Sequence, residues 1–127
     1  MMHIWWNCSD IAQFWDMIYN EMKKMVRHSF KKTAEGFLQG VVPRSLKKES
    51  KTLYLYATVA ARLLIAKNWK SGVIPTKMEW LAKLLEYYNI SKTMEEIGRT
   101  TREKTEKNWK AFKGYLQNYV EKSDLLL

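Results

Sequence analysis

The side chains best suited to chemistry gather between Lys23 and Lys51, where nine basic residues (Lys23, Lys24, Arg27, Lys31, Lys32, Arg44, Lys47, Lys48 and Lys51) meet two acids, Glu35 and Glu49. Cations clustered on one surface recognise phosphates by releasing several condensed counterions together, which makes this segment a candidate phosphate-binding surface. A solvated Lys-rich loop is the plainer reading of the same residues, because spacing alone does not bring side chains together. All of these cations except Arg44 are the candidate contacts. Aromatic rings supply a second ingredient, since an unpaired base stacks on an exposed ring for roughly 1–3 kcal/mol. Trp5 and Trp6, in the irregular start, are the candidate stacking rings; Tyr54, Tyr56 and Tyr87 stay open between core and surface.

Other chemistries are poorly supplied. His3 and Cys8 have the spacing of half a zinc motif, but two ligands do not make a tetrahedral site, and the simpler expectation is a packed Cys and an exposed or lightly bonded His. The chain has three Asp (Asp10, Asp16 and Asp124), none beside another as a two-metal site would need. A Gly-rich phosphate loop, a Gly-x-Ser-x-Gly turn and a His-Glu-x-x-His helix are missing from the sequence. The residues therefore predict no enzyme activity, no cofactor and no metal site within this chain.

Helices must position whatever the cations do. Asp10 and Gln13 have the spacing of a capping box, and Ile11, Phe14, Trp15, Ile18, Met22, Met25 and Val26 then recur at helical spacing, predicting a helix over 10–28. Gly36, Gly40 and Pro43 interrupt the pattern, so 29–46 reads as a basic connector. A second helix is expected over 47–70, apolar on nearly every side through Leu53, Leu55, Val59, Leu63, Leu64 and Ile65, and ended by Gly72. Thr76 and Glu79 make a second box before a stripe of Trp80, Leu81, Leu84, Leu85 and Tyr88, and Thr93 with Glu96 repeats it as a short helix or turn. The last helix, about 102–122, places Trp109, Phe112, Leu116, Tyr119 and Val120 on one arc and Lys104, Lys107, Lys110 and Lys113 on the other. Trp15, Trp80 and Trp109 fall on apolar stripes and are expected in the core. With no strand alternation or repeat, the expected fold is all-α, a small irregular bundle of four to five helices in one domain over 1–127, with an irregular start over 1–9.

Composition agrees with a folded basic module. The 127 residues carry 22 Lys plus Arg against 13 Asp plus Glu, a formal charge of +9 that favours polyanionic partners, and 46% hydrophobic residues can build a core. One Cys cannot close an intrachain disulfide, and the opening MMHIWW lacks the pattern of a signal peptide, so an intracellular place, cytoplasmic or nuclear, is expected. The most apolar stretch, Leu53 to Ala66, contains Arg62 and falls short of the roughly 20 residues of a membrane span. A basic amphipathic binder of membrane surfaces is a third reading of the same charge.

A family comes into view along His3-Ile4-Trp5-Trp6-Asn7-Cys8, Phe14-Trp15, the run Ala61-Arg62-Leu63-Leu64-Ile65-Ala66-Lys67-Asn68-Trp69-Lys70, Ile74-Pro75-Thr76 and Glu79-Trp80-Leu81. Their order, over roughly residues 3 to 90 and more loosely to 120, resembles the Cys-rich C-terminal segment of the second-open-reading-frame proteins of long interspersed elements, the non-LTR retrotransposons. In that family an endonuclease and a reverse transcriptase precede a mostly helical tail that binds RNA and supports target-primed reverse transcription. The resemblance implies an N-terminally truncated copy without those domains, RNA as a likelier partner than DNA, and the parent polymerase domain as a further partner. Two more Cys lie upstream of the positions of His3 and Cys8 in the family, so zinc is implied only where another chain supplies the missing ligands. The alternative is a helical interaction or scaffold fragment, or a relic reading frame with no activity of its own.

Overall fold

Ile11, Phe14, Trp15, Ile18, Met22 and Met25 are all buried on one face of the first helix, Ser9–Val26 (α1). A computed structural model describes residues 6 and 8–126, with side chains through Val120, and four helices follow: Ala34–Gln39 (α2), Lys48–Asn68 (α3), Lys77–Glu96 (α4) and Arg102–Leu126 (α5). Among the described residues there is no strand, and the fold is all-α. Nor is any described helix long and apolar enough to cross a membrane.

α3 is the hub. Its buried face, which includes Leu53, Tyr54, Ala57, Thr58, Ala60, Ala61, Leu64 and Ile65, has small residues that let neighbours approach, and it packs against all four other helices. α3 is central, as expected, but the expectation that its apolar residues are buried on nearly every side is corrected: Leu55 and Leu63 face solvent on the opposite side. The 29–46 segment also exceeds a connector. Thr33 caps α2 by accepting from the Gly36 amide at 3.0 Å, and Gly40 closes it at φ 76°. That turn drives Phe37 into full burial against Trp15, 5.3 Å away between ring centres, and Tyr54, 5.9 Å away. Phe30 and Leu46 join the same core.

Cap residues explain where the longer helices start and stop. Thr76 and Glu79 form the expected box, each side chain accepting from the other's backbone amide at 3.2 Å. The Asp10–Gln13 box does not form, because α1 already starts at Ser9, with Cys8 as an N-cap that makes no side-chain bond and Asp10 in the first turn. The Thr93–Glu96 box is absent too. α4 runs straight through Thr93, whose hydroxyl donates back to the Asn89 carbonyl, and ends before Gly98 at φ 77°. Thr101 then accepts from the Lys104 amide at 3.2 Å, starting α5 at Arg102, where the last helix is expected to begin. Two indoles tie the helices together: Trp80 donates to the Ala57 carbonyl at 3.0 Å and Trp109 to the Ser91 hydroxyl at 3.1 Å. Trp15, Trp80 and Trp109 are buried as expected, whereas Leu85 and Val120, placed on apolar stripes by their spacing, are exposed.

Candidate nucleic-acid interface

The last turn of α1, the first turn of α3, the start of α4 and the middle of α5 border a groove of about 990 Å³. Basic side chains reach it from all four: Lys24 and Arg27, Lys47, Lys77, and Lys107 and Lys110. Only two carboxylates, Glu21 and Glu49, line it, so cations outnumber acids by four. The local sequence explains the placement. Lysines in the last turn of α1 lie where cations offset the helix's partial negative end, and Lys47 stands at the uncapped N-terminus of α3, where free amides add positive potential.

Glu21 organises the floor. It occupies the core side of α1, at heptad spacing from Phe14, Ile18 and Met25, and its side chain is 7% exposed. One carboxylate oxygen accepts from Lys77 at 3.1 Å and Lys24 at 3.3 Å, and the other from the Tyr115 hydroxyl at 2.6 Å. Burial pushes the carboxyl up, but the Tyr115 hydroxyl, then Lys77, then Lys24 outweigh it and hold it below the usual carboxylate range. The Tyr115 hydroxyl is pushed up by burial and by its bond to Glu21, so it remains a donor. Three helices, α1, α4 and α5, are thus tied through one carboxylate. Lys77 also lies 5.7 Å from the Tyr119 ring, which stacks on Tyr115.

Half of the groove's cations are already paired. Lys24 and Lys77 serve Glu21, and Lys107 bonds Glu103 at 2.9 Å; that bond, with the more distant field of Glu49, raises its ammonium above the usual range. Arg27, Lys47 and Lys110 have no ion pair among the described residues. Arg27 closes α1 in the left-handed region at φ 51°, the one non-glycine residue described there with positive φ. Such a conformation costs an L residue about 1–2 kcal/mol.

The sequence candidates divide accordingly. Lys24, Arg27 and Lys47 come together in the groove, joined by Lys107 and Lys110 from the basic face of the last helix. Lys23, Lys31, Lys32, Lys48 and Lys51 do not line it. Lys23 lies over the Tyr19 ring at 4.4 Å, and Lys32 pairs with Asp16 and sits 5.6 Å from the Trp6 ring. Trp6 is half-buried against Trp15 and Phe37, so it is a lid on the core rather than the open stacking platform expected. Trp5 and His3 lie outside the described residues. Cys8 is exposed rather than packed, and no described group of three or more His, Cys, Asp or Glu side chains could hold a metal ion. One exposed thiol does not meet zinc's ligand requirement. Glu21, Lys77 and Tyr115 escaped the sequence reading, though an acid at core-face heptad spacing was a usable signal.

No protein-family model matches the chain, and no solved structure matches it.

Proposed function

We propose that the chain is a helical module that binds nucleic acid by its phosphate backbone without reading base sequence. The observation that carries this reading is the groove of about 990 Å³, which cations from four separate helices line. Several cations acting on one polyanion release counterions together, which is the main source of sequence-independent affinity. RNA is favoured over DNA, and the tail of a retrotransposon reverse-transcriptase protein as the origin, on the resemblance alone. The chain itself is proposed to bind rather than catalyse.

The test is binding of a labelled single-stranded RNA and a matched duplex DNA across a salt series. Affinity should fall steeply with salt, and Lys47→Glu with Lys110→Glu should weaken binding to all sequences alike. Each neutralised contact should lower the log-log salt slope by about 0.7 for the single strand and 0.9 for the duplex. Lys31→Glu with Lys48→Glu, which lie outside the groove, should change it less. Arg27→Gly is a sharper probe, because glycine relieves the left-handed strain while giving up chain entropy of about 0.5–1 kcal/mol. The melting temperature should hold or rise as affinity falls. Salt-independent affinity would overturn the reading.

A second reading, a helical piece that docks on the parent polymerase domain, is favoured by the outside of α4, where exposed Leu85, Ile90 and Met94 border one shallow depression and Ile97 is exposed at the C-cap. Exposed apolar side chains clustered along one helix suit a protein surface better than a phosphate backbone. Leu85→Lys with Ile97→Lys should leave RNA binding unchanged and abolish capture by that domain; if capture persists, this second reading fails.

A further inference from the structure

A smaller cavity of about 280 Å³ opens between α3, α4 and α5, walled by Tyr56 and Tyr87 and bordered by Arg99 and Asn108. Its volume lies at the lower limit of small-molecule sites, so it suits a single ring system rather than a whole nucleotide. Tyr56 and Tyr87 are half-buried, with ring centres 5.6 Å apart. Behind them, fully buried Trp109 stacks on Tyr56 at 4.9 Å and is itself pinned by its bond to Ser91. The aromatic wall is therefore held before any ligand arrives, and stacking on it needs little further ordering.

The rim supplies the polar half of a recognition site. The Asn108 amide, a donor and an acceptor on one plane, and the Arg99 guanidinium have no partner among the described residues. The Ser91 and Thr105 hydroxyls, by contrast, already donate to the carbonyls of Tyr87 and Thr101. A planar ligand with ring faces and with hydrogen-bonding groups on its edge matches this arrangement, and the adjacent residue on α5, Lys107, lines the basic groove.

We infer that this cavity takes one unpaired nucleobase of a strand whose phosphates lie in the groove, with Tyr56 and Tyr87 as the stacking wall and Asn108 and Arg99 on the base edge. This rests on the phosphate-binding reading above and adds to it a preference for single strands, since a paired base cannot leave its stack without cost. Stacking is tolerant of base identity, so the preference is for any exposed base.

The experiment compares a single-stranded RNA with an abasic strand of equal length and charge, alongside adenosine monophosphate titrated against the Trp109 indole N–H signal. The base-bearing strand should bind about 5- to 150-fold more tightly. Asn108→Leu, at a half-buried rim position, and Arg99→Ala, on the surface, should each reduce that ratio while leaving the abasic strand's affinity nearly unchanged. Adenosine monophosphate should shift the indole signal, and Asn108→Leu should abolish the shift. Equal affinity for the two strands together with an unshifted indole overturns the base pocket, while steep salt dependence of both strands would keep the groove. A shifted indole with neither strand bound would retain the pocket for a free base and overturn the groove.

Discussion

Two tyrosine hydroxyls in this molecule meet opposite fates. At the groove, half-buried Tyr115 donates to the carboxylate of Glu21, which two ammonium groups also hold, so both oxygens of that buried carboxylate have partners. In the aromatic half of the core, the Tyr54 hydroxyl is fully buried with no hydrogen-bond partner among the described residues. Burial pushes it up to about 12, with Arg62's charge offsetting only part of the effect. The ring of Tyr54 is useful where it lies, touching Phe30 and Phe37, but its oxygen is not. One half of the core is therefore stabilised by apolar packing despite a polar atom, and the other is organised through polar atoms.

The largest break in this contrast should come from the rings. Trp15→Ala empties a fully buried site between α1 and α2 and should cost about 3–5 kcal/mol in chemical denaturation. Deleting a single oxygen then sharpens it, because the same change should have opposite signs in the two halves. Tyr115→Phe should destabilise by about 1.5–3 kcal/mol, toward the smaller value since the open groove lets water reach Glu21. Tyr54→Phe should stabilise by about 1 kcal/mol, the cost of an unmade buried bond. Two losses of similar size would refute the comparison.

Acid supplies the smallest test. Glu21 is held below its unfolded value of about 4.3, so its contribution to stability is complete above that pH and is lost as pH falls through the folded value. Stability measured below pH about 4.3 should therefore decline less steeply in Glu21→Gln than in the parent chain.

The helices were legible in the sequence wherever a long apolar period met a capping residue, as at Thr76 with Glu79. α2 was not, because six residues are too few to show a period and Gly36 interrupts them; its formation depends on Phe37 finding Trp15 and Tyr54. The solvent side of α3 was misread for a related reason: Leu55 and Leu63 look like core by type, and only the positions of the surrounding helices leave that side open. For the groove, Lys24, Arg27 and Lys47 could be named from local charge density. Lys77 and Tyr115 could not, since what recruits them is a contact with Glu21 across 56 and 94 residues of chain.

The tight seating of α2 on α3 restricts how this protein can drift. A β-carbon at Gly36 would fall 2.0 Å from the Tyr54 hydroxyl, 2.9 Å from the Thr33 hydroxyl and 3.2 Å from the Val41 carbonyl, and the first contact is the most severe. Alanine at 36 is thus more harmful while Tyr54 keeps its oxygen than after that oxygen has gone. Positions 36 and 54 are epistatic, and the order of substitution matters: a lineage that loses the hydroxyl first has the easier route to a side chain at 36, whereas the reverse order passes through a crowded intermediate. Related sequences should then show larger residues at 36 chiefly where 54 has lost its hydroxyl, a covariation set by one oxygen atom.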